Sequence, residues 1–181
     1  MIRSSSAAAT SFLVIGLVAC SAARADSKQW QFDVKTSYLV IGDHAKRATG
    51  GLMPSILGRR VWPVEKVSVG IGGHLGTFGL WGDAYWMGIL GGPVVSVGIR
   101  PLGSRLFLDL AAQLDFGRMP VCNAWGLCLR YIGFFPLTQV SAAYSPTNHL
   151  GLVAGIGLRW IQTLGWSGVS AEPSLSGRFF W

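Results

Sequence analysis

The chain has 181 residues and a formal net charge of +7; half of its residues are hydrophobic and only 13% are charged, against about 25% charged in ordinary soluble domains. A helical membrane protein is excluded, because beyond residue 26 polar or charged residues interrupt every window of about 20. The positive charge forms no basic helix or aromatic–basic cluster, so nucleic acid is not an expected partner.

In chain order, the first element is an export signal. Arg3 precedes an apolar stretch from Phe12 to Ala19 and a small-x-small end, Ala23-Arg24-Ala25, which predicts a signal peptide over residues 1–25. The alternative is lipoprotein processing after residue 19, at Leu17-Val18-Ala19-Cys20, with Cys20 lipidated. Either route takes the chain out of the cytoplasm, with residues 26–181 expected as one domain.

From Trp30 onward the chain reads in twos, as strands do. Trp30, Phe32, Val34, Thr36, Tyr38 and Val40 share one face, opposite Gln31, Asp33, Lys35 and Ser37. The next connection, Gly42 to Gly51, carries His44, Lys46 and Arg47, a set suited to the phosphates of outer-leaflet lipid. In "KVSVGIGGHL", Val67, Val69, Ile71 and Leu75 oppose Lys66, Ser68 and His74. The glycines there do not make a dinucleotide fingerprint, since GxGxxG fails at Leu75 and no βαβ unit follows. Leu106, Leu108, Leu110, Ala112, Leu114 and Phe116 alternate with Arg105, Asp109, Gln113 and Asp115. Leu150, Leu152, Ala154, Ile156, Leu158 and Trp160 oppose His149 and Arg159. Val169, Ala171, Leu175, Phe179 and Trp181 oppose Ser170, Glu172, Ser174, Ser176 and Arg178.

This periodicity predicts eight strands, at about 28–41, 52–62, 66–81, 92–100, 105–116, 129–144, 149–160 and 169–181. Short and long connections alternate. "PVE", "PLGS" and "SPTN" read as turns. Gly42 to Gly51, Gly82 to Gly91, Gly117 to Leu127 and Ile161 to Gly168 read as longer loops. Strand six changes parity between Arg130 and Val140, so a bulge or bend is expected near Phe135-Pro136. In the third long loop Cys122 and Cys128 are expected to form a disulfide in an exported chain.

Two architectures fit: a soluble lipocalin-like barrel with its apolar face inside, or a membrane barrel with that face outside. The polar face is rich in Gly, Ser and Gln and short of Lys and Glu, which suits a narrow lumen better than a hydrated surface. Aromatic residues gather at strand ends, with Trp30, Tyr38, Trp81 and Trp160 as a girdle. The reading is therefore an all-β, eight-stranded antiparallel up-and-down transmembrane barrel. Its lumen would hold Asp33, Lys35, His74, Arg100, Asp109, Asp115, Arg159, Glu172 and Arg178, paired because lone charge there is costly.

The ending "SLSGRFFW" resembles the assembly signal of bacterial outer-membrane barrels, carried by Leu175, Phe179 and Trp181. In architecture the mature chain is similar to small eight-stranded outer-membrane barrels of the OmpA/OmpX type. That resemblance implies an outer-membrane location, insertion by a barrel-assembly machine that reads the last strand, and contact with outer-membrane lipids. The expected role is structural or surface-interacting and non-enzymatic, as a monomer with no cofactor or metal and an unnamed surface partner. The alternatives are a narrow ion or solute channel, a lipid A-modifying enzyme and a soluble binder. For catalysis the sequence offers only Ser145 four residues before His149, a spacing that does not by itself pair a nucleophile with a base.

Overall fold

The computed structural model describes residues 29–181 apart from 43–47, 65, 82–84, 101–104, 123–127 and 164–166. The strands are β1 (Gln29–Gly42), β2 (Ala48–Val64), β3 (Val67–Trp81), β4 (Tyr85–Ile99), β5 (Leu106–Cys122), β6 (Cys128–Tyr144), β7 (Leu150–Thr163) and β8 (Ser167–Phe180). Each pairs with its neighbours in sequence, and β8 pairs with β1, so the sheet is a closed antiparallel barrel. The seam ends on a reciprocal pair: Trp30 N donates to Trp181 O at 2.8 Å, and Trp181 N to Trp30 O at 2.9 Å. Closure leaves no strand edge, the condition for a sheet surrounded by hydrocarbon.

The stagger of the barrel follows from its register. A path of directly opposed residues runs Trp30, Arg60, Ile71, Val95, Ala112, Thr138, Leu158, Ala171 and returns to β1 at Val40, ten residues beyond its start. With about 3.3 Å of rise per residue and about 4.8 Å between strands, this implies a tilt of about 40° and a backbone radius of about 8 Å.

The apolar parity points outward. Leu108, Leu152 and Ile156 are 45%, 62% and 62% exposed. At the end where β1 begins and β8 finishes, Trp30, Phe32, Tyr144, Phe179 and Trp181 are exposed, and Arg60 lies over the rings of Trp30 and Trp62 at 5.8 and 5.9 Å; this is called the turn end. At the opposite, loop end stand Tyr38, Phe116 and Trp160. The side chain of Trp81 lies outside the described residues.

Several expectations are corrected. β2 starts at Ala48 and β4 at Tyr85, β5 runs on to Cys122, and β8 starts at Ser167. Gly50, Gly51, Gly88 and Gly91, which read as loop, are strand. On the outer face the Phe32 ring takes the space beside Gly58, where a Cβ would lie 3.2 Å from Phe32 Cε1. Nor is there a bulge at Phe135-Pro136. The β5–β6 register is continuous from Leu106↔Tyr144 to Cys122↔Cys128, and Phe135, Leu137, Gln139, Ser141 and Ala143 all point inward. β6 keeps one phase because the proline removes a ladder rung without inserting a residue. β6–β7 pairing skips from Phe134↔Gln162 to Leu137↔Arg159 and resumes in step. Similar lapses occur beside Pro54, Pro93 and Pro173, each of which stays opposed to a residue on its other side. A proline lacks one N–H, so it disturbs one flank only.

Deleting Trp181 removes the two hydrogen bonds that finish the seam and the edge contact of Phe32 with the Trp181 ring at 5.5 Å. The expected loss is about 1–3 kcal/mol of unfolding free energy, read by urea titration of the refolded barrel in micelles.

Candidate functional site

The bore is filled in layers. Nearest the turn end lies a cluster built on two arginines from distant strands. Arg178 of β8 grips Asp33 of β1 through both carboxylate oxygens, Nε to Oδ1 at 2.8 Å and Nη2 to Oδ2 at 2.9 Å. Its Nη1 donates to Asp109 Oδ2 at 2.6 Å, and Arg59 Nη2 reaches the same oxygen at 2.7 Å. Arg59 also donates to Gln31 Oε1 and Ser96 Oγ. Gly98 makes room here, since a Cβ on it would overlap Asp109 Oδ1.

The next layer is organised by Arg159 of β7. Its Nε donates to Glu172 Oε2 at 2.7 Å; its Nη1 donates to Asp115 Oδ2 at 2.6 Å and to the Phe135 carbonyl at 3.0 Å. Lys35 Nζ binds Glu172 Oε1 at 2.9 Å and Gln139 Oε1 at 3.0 Å, and Gln139 donates onward to Ser174 Oγ. His74 Nδ1 lies 3.0 Å from Asp115 Oδ1. An ionised carboxylate only accepts, which places the imidazole proton on Nδ1.

Each cluster balances its arginines and lysine against carboxylates: Arg59 and Arg178 against Asp33 and Asp109, then Lys35 and Arg159 against Asp115 and Glu172. Toward the loop end the lining becomes apolar. Leu39, Met53, Phe78, Leu80, Leu90, Phe135 and Ile161 pack into one buried cluster. The void among them is about 10 Å³, no more than a single water needs.

The structure thus brings Asp33, Lys35, His74, Asp109, Asp115, Arg159, Glu172 and Arg178 together in the bore. Arg100 is not among them. It is exposed at the turn-end mouth, with its guanidinium 4.8 Å from the centre of the Phe107 ring, because β4 ends at Ile99. Arg59, the partner of Asp109, escaped the sequence reading. Arg59 and Arg60 are adjacent, and glycines in "GGLMPSILGRR" blur the alternation that would have assigned one to each face. The apolar layer was also missed, since Leu39 sits on the parity that reads as polar and Ile161, which reads as loop, lies in β7.

Leu175, Phe179 and Trp181 are exposed along the outer face of the closing strand. Cys122 and Cys128 are directly opposed in the β5–β6 register, but their side chains lie outside the described residues, as do His44, Lys46 and Arg47 and the signal segment. Ser145 is buried and His149 exposed, and no hydrogen bond joins them among the described residues. No group of His, Cys, Asp and Glu among the described residues is arranged to hold a metal.

No family model and no curated protein matches the sequence. Solved structures do. Neisserial surface protein A superposes with a TM-score of 0.63 at 14% identity, covering 83% of this chain and 96% of that one. Ail, the attachment invasion locus protein of Yersinia pestis, gives 0.56 at 7% identity, with 86% and 99% covered. The same protein in complex with the heparin analogue sucrose octasulfate gives 0.54. The chain has the fold of the small eight-stranded outer-membrane barrels.

In a fold with so narrow a bore the charge layers should carry stability. Arg159→Met leaves Asp115 and Glu172 with only His74 and Lys35, an expected cost of about 3–5 kcal/mol in urea unfolding. Arg118→Met, on the exposed outer face near the loop end, should change it by less than about 0.5 kcal/mol.

Proposed function

We propose that this chain is an exported protein of the bacterial outer membrane, with a structural or surface-interaction role, neither enzyme nor channel. The observation that carries the reading is inverted polarity: an exterior of Leu, Ile, Val and aromatic residues around a bore whose charges neutralise one another. At a tilt of about 40° each residue advances about 2.5 Å along the barrel axis. About ten residues then cross an apolar band of about 25 Å, and strands of 14 to 17 residues exceed it. Residues 1–25 are removed as a signal peptide. The short turns face the periplasm and the loop end faces outward. The assembly machine reads Leu175, Phe179 and Trp181.

Against a channel stand the paired charges and the apolar layer. An ion would have to leave its water at Leu39, Phe78, Phe135 and Ile161 with no polar group in exchange. Against catalysis stands His74, whose buried Nε2 has no hydrogen-bond partner among the described residues.

Outside, His44, Lys46 and Arg47 of the first long connection supply cations that contact phosphates of outer-leaflet glycolipid. Ail with sucrose octasulfate is a precedent for polyanion recognition on a barrel of this fold. Cys122 and Cys128, opposed across a strand pair, close a disulfide in the oxidising compartment, since opposed Cα atoms fall within disulfide reach.

The reading is tested by fractionation with heat-modifiable gel mobility. The mature protein should enter the outer-membrane fraction and migrate faster unheated; recovery in the soluble periplasm would overturn it. Ile156→Arg should destabilise the barrel in lipid vesicles by about 2–4 kcal/mol, whereas a water-facing position would tolerate it. Planar bilayers should show no discrete conductance steps, and lipid A mass spectra should be the same with and without the protein. Thiol alkylation before and after reduction should label Cys122 and Cys128 only after reduction.

A further inference from the structure

The two ends of the bore are unlike. The loop end is sealed by apolar packing, whereas the turn end opens into a cup of about 450 Å³ lined by Gln29, Arg100, Arg105, Phe107, Ser145 and Asn148. That volume lies within the range of small-ligand sites.

The chemistry of this cup differs from that of the layers above it. Arg59, Arg159 and Arg178 each meet a carboxylate. Arg100 and Arg105 meet none among the described residues, and no described carboxylate lines the cup. Both guanidiniums are nonetheless held. Arg100 lies over Phe107 at 4.8 Å, and Arg105 Nη1 donates to the Pro146 carbonyl at 3.2 Å; its other N–H groups have no partner among the described residues. Ser145, only 9% exposed, also lines the cup, and its Oγ, itself buried, has no hydrogen-bond partner among the described residues. A buried hydroxyl left unpaired is costly, and a ligand oxygen would satisfy it.

The wall is braced before any ligand arrives. Arg100 N donates to Lys66 O at 2.9 Å, Ser145 N to Arg105 O at 2.9 Å, and Phe180 N to His149 O at 3.1 Å, so neighbouring strand ends around the cup are tied together in pairs. The Phe107 and Phe180 rings, 6.2 Å apart, supply an apolar surface. Two planar guanidiniums suit an oxyanion with several acceptor oxygens, and the aromatic pair suits a carbon skeleton attached to it.

We propose that the turn-end cup binds a phosphate ester, its phosphoryl oxygens on Arg100, Arg105 and the Ser145 hydroxyl and its organic part against Phe107 and Phe180. The ester is either a free small molecule or the glycerophosphate headgroup of a lipid. The site goes beyond the structural role assigned above. A micellar titration reads it wherever the barrel resides.

The experiment titrates glycerol 3-phosphate into the refolded mature barrel in dodecyl maltoside, by calorimetry, with sodium sulfate at equal ionic strength as the control anion. A parallel arm uses native mass spectrometry of barrel released from vesicles containing phosphatidylglycerol. Arg100→Ala/Arg105→Ala should weaken glycerol phosphate binding by about tenfold or more. Ser145→Ala should weaken it by a smaller factor that added salt does not erase. Unchanged heat-modifiable mobility establishes that both variants fold. Binding of the free ester assigns a soluble ligand. Retention of phosphatidylglycerol by the parent but not by the double variant, without free-ester binding, assigns the lipid headgroup. Absence of both, binding that the double variant keeps, or sulfate binding equally well with Ser145→Ala silent overturns the proposal.

Discussion

A closed sheet of eight strands that advances ten residues per circuit has a backbone radius of about 8 Å, and most of the molecule's properties follow from that dimension. Once side chains are added, the bore has no room for a column of water. Every inward residue must therefore meet other inward residues, and an inward charge must find its counter-charge across the bore. Arg178 binding Asp33 and Asp109, and Arg159 binding Asp115 and Glu172, satisfy that requirement. Arginine suits the task because its planar fork serves two carboxylates at once. Gly98 leaves the space that the Asp109 carboxylate occupies, and the small Ser96 accepts a hydrogen bond from Arg59.

The same dimension makes the two ends different. Charge pairing occupies the middle and turn-end half of the bore, and the loop-end half closes on Leu39, Met53, Phe78 and Phe135. A polar middle beneath an apolar cap keeps water from reaching the ion pairs from the loop side. On the other side, Arg100 and Arg105 stand beyond the last bore carboxylates, with no carboxylate to pair with among the described residues. The outer surface has its own order: a broad apolar belt, aromatic rings at both borders, and Arg60 against Trp30 and Trp62 where the belt ends.

Much of this was legible in the chain. Alternation in "WQFDVKTSYLV" and "HLGLVAGIGLRW" assigns a face to each residue without knowledge of the fold, because successive side chains of any strand point opposite ways. Legibility failed where glycine or proline removes the contrast between faces. In "GGLMPSILGRR" it could not be decided which of Arg59 and Arg60 points inward. At Phe135-Pro136 a lost rung was read as an inserted residue. Inward apolar residues such as Leu39 and Leu137 were invisible for another reason. A membrane barrel is apolar outside along its middle, so an apolar residue on the inward parity looks like noise until its neighbours across the bore are known.

By itself, the sequence determined the strand period, the polarity of the two faces and the aromatic ending, all of which are properties of neighbouring residues. Tertiary structure alone decided which charges meet: Lys35 with Glu172, Arg59 with Asp109, and Arg178 with Asp33. Those partners lie far apart in the chain, and their height in the bore is set by strand number and stagger together. Stagger is fixed only when β8 closes on β1, a condition on the whole sheet that no local stretch of sequence contains.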